Sequence, residues 1–204
     1  MPKYTVGGDR LHVLSPQLSL TLGFYLDPTA ETFIRGLFQD QRLRLGDRTS
    51  QAAFSVDTVE MLPLQWPGAP GPVRIRTLSP LVVARKHPGV TPDEYLPPTD
   101  PGYARLLFSN LLEKYRAATG AEPPNWWDAT RFDFRLAAGR TPRSKLITIK
   151  TGTAAQTQVR GWTFDFELDA PRELVELGLL AGFGRMNSEG FGFGELVKGG
   201  GGAS

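Results

Sequence analysis

The residues best suited to chemistry lie near the C-terminus, in the run Gly182-Phe183-Gly184-Arg185-Met186-Asn187-Ser188-Glu189-Gly190-Phe191-Gly192-Phe193-Gly194. Five glycines alternate there with aromatics around a polar centre. Glycine allows positive φ and the close approach of a second backbone. Successive backbone N–H groups in such a turn form a nest that accepts an anion. The run follows a helical pattern and leads into a strand, the reverse of a dinucleotide-binding turn, and Asn187 occupies the third glycine position of that fingerprint. No Gly-Lys-Ser/Thr is present, so it is not a Walker A loop. A tight helix-to-strand turn with packing glycines would explain part of the run. Five glycines with an arginine among them exceed what a turn needs, and a ligand-facing role is expected.

Other chemistry is mostly excluded. Cysteine is absent, which removes disulfides, thiol catalysis and thiolate zinc sites. The histidines are His12 and His87, too few and too separated for a structural zinc site. There is no nucleophile elbow and no paired-carboxylate motif, so neither a metal nor a cofactor is expected. His87, in Lys86-His87-Pro88-Gly89, reads as a solvated loop residue, and His12 as a bystander. Trp126-Trp127 has the chemistry to stack on bases, but reads first as a loop anchor over the core.

The formal net charge is only +2, from 23 basic and 21 acidic residues. Its distribution is uneven. Arg131, Arg135, Arg140, Arg143, Lys145, Lys150 and Arg160 face a single acid, Asp133, so this window is +6 and the rest of the chain −4. A basic stripe on a near-neutral protein is a footprint for a polyanion. A solvated strand face with counter-charges elsewhere in space would give the same count.

These residues need elements to position them. The length of 204 residues, 40% of them hydrophobic, suits one domain or two small ones with a real core. No apolar run is long enough to span a membrane, no signal peptide is expected at the N-terminus, and a cytoplasmic setting is expected. Alternation predicts strands over Leu18–Phe24 and Phe54–Leu62, with a short helix from Asp27-Pro28 through Phe38 between them. Residues 65–72 read as a boundary. An extended segment runs from Val73 to Arg85, broken at Ser79-Pro80, and a Pro-rich connection from His87 leads to a long helix over Pro101–Thr119, stopped by Gly120. Phe132, Phe134 and Leu136 predict a strand that turns at Gly139-Arg140 into a second around Leu146–Ile149. A strong strand follows over Val159–Leu168, with Trp162, Phe164, Phe166 and Leu168 on one face. Pro171 opens a helix, and Phe191–Val197 closes the pattern. From residue 73 the order is β-α-β-β-α-β, the ferredoxin-like unit. Residues before 65 read as part of a similar unit. The expected fold class is α+β, in two ferredoxin-like units at 1–64 and 73–198, with residues 199–204 as a flexible tail.

Three segments together resemble the CRISPR repeat-processing endoribonucleases of the repeat-associated mysterious protein superfamily. They are the glycine run, Arg76-Thr77-Leu78-Ser79-Pro80-Leu81-Val82-Val83, and the helix carrying Ser109-Asn110-Leu111-Leu112-Glu113-Lys114-Tyr115. Their order and spacing match over residues 73–197. The resemblance implies tandem ferredoxin-like (RNA-recognition-motif-like) domains and binding of CRISPR repeat RNA. It implies metal-independent cleavage by attack of a 2′-hydroxyl on the adjacent phosphate, giving a 2′,3′-cyclic phosphate. It also implies work within an antiviral CRISPR system. The family's N-terminal domain opens with a strand and a helix that have no counterpart here, so the first unit reads as incomplete. The family's catalytic His therefore has no match, and no catalytic residue is assigned.

On this resemblance the RNA-facing residues are Gly182, Gly184, Arg185, Asn187, Ser188, Gly190 and Gly192 in the glycine loop, with Arg143, Lys145, Lys150 and Arg160 around the second-domain hairpin. Two further function classes are open: a non-cleaving subunit that holds guide RNA in a CRISPR effector complex, and an unrelated small-molecule-binding ferredoxin-like protein. The apolar edge of an incomplete first unit is expected to attract partner subunits or a second copy.

Overall fold

A computed structural model describes residues 4–7, 10–25, 32, 34–36, 39, 41–46, 51–68, 70–87, 89 and 93–197. Its centre is a four-stranded antiparallel sheet. β5 (Val73–Thr77) and β11 (Asp165–Asp169) are central, β12 (Gly194–Leu196) flanks β5, and β8 (Asp133–Leu136) flanks β11, giving the order β12-β5-β11-β8. Helix α1 (Tyr103–Thr119) connects β5 to β8, and α2 (Arg172–Ala181) connects β11 to β12. The architecture is thus α+β with ferredoxin-like order.

Alternation explains the sheet. In β5, Val73, Ile75 and Thr77 are buried while Arg74 and Arg76 point the other way. Phe166 of β11 pairs with Ile75 on one side and Leu136 on the other; Leu168 pairs with Val73 and Phe134. Tyr103, Leu107, Phe108 and Leu111 of α1, and Leu174, Val175, Leu177 and Leu179 of α2, cover that apolar face. Gly120 ends α1 in the left-handed region (φ +68°), its N–H bonding Arg116 O at 2.9 Å. The tryptophan pair divides: Trp127 is buried against Tyr115, and Trp126 is exposed.

After β5 the chain leaves the sheet at Leu78-Ser79-Pro80 and crosses the molecule. Leu81 bridges Trp162 and Val82 bridges Gly184 before β6 (Ala84–Arg85) pairs with β7 (Glu94–Tyr95). This matches the expected break at Ser79-Pro80.

Five expectations need correction. No hairpin joins the strands on either side of Gly139-Arg140. β8 pairs with β11, because Phe134 and Leu136 must enter the core beside Leu168 and Phe166. The hairpin forms instead between β9 (Arg143–Ile149) and β10 (Thr157–Thr163), turning through residues 150–156. The strand expected over Val159–Leu168 is two ladders meeting at Phe164, although all four expected inward side chains are buried. The closing strand is only Gly194–Leu196, since Phe191–Phe193 bond the crossing segment as loop. Residues 17–25 form no ladder among the described residues, and Leu18, Leu20 and Leu22 are 39–49% exposed. Alternation shows a fit to pleated backbone, but a strand also needs a partner edge.

In the N-terminal part, β1 (Tyr4–Gly7) pairs with β2 (Arg10–Val13), and β3 (Arg42–Gly46) with β4 (Gln51–Ser55). The strand expected over Phe54–Leu62 stops at Ser55, where its partner β3 runs out at Arg42. Thr32, Ile34, Arg35, Gly36 and Gln39 are helical; the rest of the helix expected from Asp27-Pro28 to Phe38, and the tail 199–204, lie outside the described residues. This part meets the core through Leu64 and Trp66, with the Arg172 guanidinium 4.5 Å from the Trp66 ring centre.

Candidate nucleic-acid interface

The glycine loop is sewn to the crossing segment by backbone. Gly192 N–H donates to Pro80 O (2.9 Å), Arg185 N–H to Val82 O (2.9 Å) and Leu78 N–H to Phe193 O (2.8 Å), while Phe183 N–H closes the loop on Gly192 O (2.8 Å). Such approach excludes side chains. A Cβ at Gly192 would lie 1.9 Å from Phe183 O, and one at Gly184 2.3 Å from Val82 O, both at positive φ. Phe183 anchors the turn in the core against Phe166, ring centres 5.5 Å apart.

A buried cation holds the loop from below. The Lys114 ammonium, on α1, donates to Gly182 O and to Asn187 Oδ1, the latter at 2.6 Å. Burial lowers its pKa from the ordinary 10.5 to about 8. The Asn187 amide donates in turn to Phe183 O (3.2 Å) and Phe191 O (2.9 Å). One side chain thus gathers three parts of the loop and ties them to the helix.

The β9–β10 hairpin packs onto the same loop. Val159, Val82 and Phe191 form a small apolar cluster, with Ile147, Ile149 and Met186 packed against it. Lys150 Nζ reaches Glu189 Oε1 at 3.8 Å, joining the hairpin turn to the loop. The register sets the basic side chains. Arg143 and Lys145 alternate with Ile147 along one face; Arg160, paired opposite Leu146, lies on the other and donates to Ser144 Oγ at 3.0 Å. The hairpin therefore carries cations on both faces and meets the loop beside its polar centre.

Residues 69–196 match the family described as CRISPR associated protein Cas6, C-terminal. The chain belongs to this family. It is 28% identical over 165 residues to the CRISPR-associated endoribonuclease Cas6 of Pyrococcus furiosus, an alignment covering 80% of this chain and 54% of that protein. The chain spans about half the length of that relative. Among solved structures it is similar to the product of a Cas6-related gene from Pyrococcus furiosus, with TM-score 0.71, 19% identity and coverage of 97% of this chain and 75% of the other. It is also similar to a RAMP protein described as binding different RNA substrates, with TM-score 0.70, 20% identity and coverage of 96% and 75%. At these identities the two structures share the fold, the ferredoxin-like α+β arrangement.

Within this Cas6-type frame the sequence-predicted residues divide. Gly182, Gly184 and Gly192 are buried; backbone fills the space of a Cβ at Gly184 and Gly192, and the Asn187 side chain fills it at Gly182. Asn187 turns inward, its amide engaged within the loop and with Lys114. Ser188 and Gly190 are exposed, and a Cβ at Gly190 would meet open space. Arg185 is half-buried and bonds Asp93 Oδ2 at 2.6 Å. Arg143, Lys145, Lys150 and Arg160 are exposed. The basic stripe is not one surface: Arg135 bonds Asp133 on the sheet at 2.5 Å, and Arg140 turns to Asp165 at 3.1 Å.

Sequence reasoning assigned no site role to Lys114 or to the cluster around Asp165. The signal for Lys114 was its place at i+7 from Leu107 and i+3 from Leu111, on a helix face otherwise apolar. Asp165 is buried on the sheet face away from the helices, where Arg74, Arg76 and Arg140 converge on it at 3.5, 3.2 and 3.1 Å. Burial pushes its pKa up, but hydrogen bonds and charge from Arg76 and Arg140 outweigh that and hold it below the ordinary carboxylate value. His12 is exposed on β2, opposite Thr5. His87 Nε2 lies 2.8 Å from Glu94 Oε2, and this bond is the main cause that lowers the Glu94 pKa. Among the described residues no group of three or more acids and histidines could hold a metal ion, and no helix is long and apolar enough to cross a membrane.

Proposed function

We propose that this chain binds the repeat of precursor CRISPR RNA and cleaves it without a metal ion. The observation that carries the reading is the junction of the glycine loop with the basic hairpin, inside the segment that matches the Cas6 C-terminal family. Arg143, Lys145 and Arg160 supply cations along an edge that suits a structured RNA, whose readout is largely shape and phosphate. Ser188, at the exposed end of the loop, offers a hydroxyl for hydrogen bonding. In the cleavage step the ribose 2′-oxygen forms a bond to the adjacent phosphorus and the P–O5′ bond breaks. A base takes the 2′-hydroxyl proton and an acid protonates the departing 5′-oxygen. The products are a 2′,3′-cyclic phosphate and a 5′-hydroxyl, and nearby cations offset charge on the phosphate. On this reading residues 1–64 form a partial first ferredoxin-like unit and 73–198 the second, acting in the cytoplasm, with effector subunits or a second copy as protein partners.

One observation favours a second reading, a non-cleaving subunit that retains guide RNA. Neither histidine joins the loop: His12 sits on the β1–β2 hairpin and His87 on Glu94. One incubation separates the two. Labelled repeat RNA from the protein's own locus is mixed with the chain in EDTA and run on denaturing and native gels. A single cut ending in a cyclic phosphate is the expected result. A salt-sensitive shift without a cut establishes the second reading, and no shift overturns both.

A further inference from the structure

We propose that Arg74, Arg76 and Arg140, drawn together on the outer face of the sheet by the buried Asp165, hold one backbone phosphate of the bound RNA beside the hairpin. The inference rests on the RNA-binding reading above and adds a contact to it. Arg76 donates from Nε and Nη2 to the two Asp165 carboxylate oxygens at 3.3 and 3.2 Å. Arg140 Nη1 donates to one of them at 3.1 Å, and Arg74 Nη2 lies 3.5 Å from the other. Three positive charges thus meet one negative charge. The Asp165 side chain is 2% exposed and the three arginine side chains 37–44%. The carboxylate fixes three cationic heads from below, and like charges so close repel one another until an anion closes the balance. Acids on the neighbouring strands do not close it. The register sets Glu195 opposite Arg76 and Glu167 opposite Arg74, yet neither makes an ion pair among the described residues. Of the causes that raise the Arg76 pKa, Asp165 stands first and Glu195 last.

The unused ends of the guanidiniums identify the ligand. Arg74 Nη1, Arg76 Nη1 and Arg140 Nη2 have no acceptor among the described residues. The three side chains line, with Gly139, an open concavity of about 450 Å³. Guanidinium N–H groups set as a fork match the paired oxygens of a phosphate. Heads already held in place lose little freedom when it arrives. The concavity has no aromatic or amide side chain in its lining, so it has nothing with which to read a base and suits the backbone. Its place in the chain joins it to the hairpin. Arg140 comes three residues before Arg143, which opens β9, and Asp165 comes two residues after Thr163, the strand partner of Arg143. A backbone that lies along Arg143 and Lys145 therefore reaches the cluster where the hairpin joins the sheet.

The test uses the full chain, its repeat RNA and a scrambled RNA of equal length. Affinity is measured against salt for wild type, for Arg74→Gln with Arg140→Gln, and for Arg140→Gln alone, a change outside any strand. Arg131→Gln with Arg135→Gln removes two charges outside the cluster and serves as the control. Thermal melts show that each variant is folded. The cluster double variant binds roughly tenfold more weakly. The factor is the same for both RNAs, as a backbone contact requires. The slope of log affinity against log salt falls by about 0.7–0.9, one phosphate for two arginines. Arg140→Gln alone moves affinity and slope in the same direction, and the control pair leaves the slope unchanged. An unchanged slope in the folded cluster variants overturns the subsite alone. An equal fall in the control pair assigns the effect to overall charge and also overturns it. Melts with inorganic phosphate at constant ionic strength separate the two sources of the anion. Phosphate that raises the Tm of wild type and not of the cluster double variant, with the RNA slope unmoved, marks a free-oxyanion site and overturns the RNA assignment. Failure of the wild type to bind repeat RNA overturns the function and the subsite together.

Discussion

At the scale of single residues, Lys114 bears the most strain between solvation and position. Its ammonium gives up water to reach Gly182 O and Asn187 Oδ1, and burial lowers its pKa from 10.5 to about 8. The folded value lies below the unfolded one. Between these two pH values the unfolded chain therefore holds a proton that the folded chain has released, and stability rises with pH across that window. Below it the buried charge costs its full amount, of order 3 kcal/mol. A neutral amine keeps two N–H groups, enough for both acceptors. Urea unfolding of wild type and Lys114→Met at pH 7 and pH 10 checks this. The difference in stability between them moves in favour of wild type at the higher pH, and a difference that does not move with pH refutes the assignment. Asn187→Ala, which frees the carbonyls of Phe183 and Phe191 as well as Lys114, is expected to lose about 1–3 kcal/mol at pH 7.

At the scale of elements, the glycine loop combines two demands that one motif made look alike. Gly192 has φ +75° and backbone 1.9 Å from where a Cβ would sit; Gly190 has φ +85° and open space. Gly190→Ala therefore meets only the left-handed backbone cost, roughly 1–2 kcal/mol. Gly192→Ala must also push Phe183 O aside and with it the bond to Pro80, so it loses more. Melting temperatures rank wild type, then Gly190→Ala, then Gly192→Ala; the reverse order of the two variants would show that the loop is not held by this approach. How far elements can be read from sequence follows the same division between local and distant causes. β5, α1 and α2 were legible because each carries its own period, and Gly120 its own stop. The β9–β10 hairpin was not, because which strand pairs with β8 is decided by Phe166 and Leu168, about thirty residues downstream. Leu18, Leu20 and Leu22 alternate as a strand does, but alternation says nothing of whether an edge waits for them. The candidate site was half legible. The loop and the basic residues Arg143, Lys145, Lys150 and Arg160 were visible separately; the hairpin that carries them, and its junction with the loop through Met186, Phe191 and the Lys150–Glu189 pair, are tertiary pairings that no spacing encodes.

At the scale of the whole molecule, a net charge of +2 gives little long-range attraction for a polyanion, so any salt-dependent affinity must come from local arrangement. The fold supplies it by folding basic residues of one sequence window to different ends. Arg135 pairs with Asp133 and Arg140 shares Asp165 with Arg74 and Arg76 on the sheet, whereas Arg143, Lys145 and Arg160 stay exposed on the hairpin. Removal of charge at equal cost to the net value should then have unequal effects. Arg143→Gln with Lys145→Gln removes two phosphate neighbours, and the slope of log affinity against log salt falls by about 1.4–1.8. Arg116→Gln with Arg131→Gln changes the net charge by the same amount away from the hairpin and leaves the slope at its wild-type value. Titrations of repeat RNA at several salt concentrations read both. Equal slopes in the two double variants would mean that the RNA responds to overall charge, and the hairpin would then be only a scaffold for the loop. A fall confined to the hairpin variant assigns the electrostatic part of binding to β9, the strand whose register places Arg143 and Lys145 on the same face as the side chains that pack against the glycine loop.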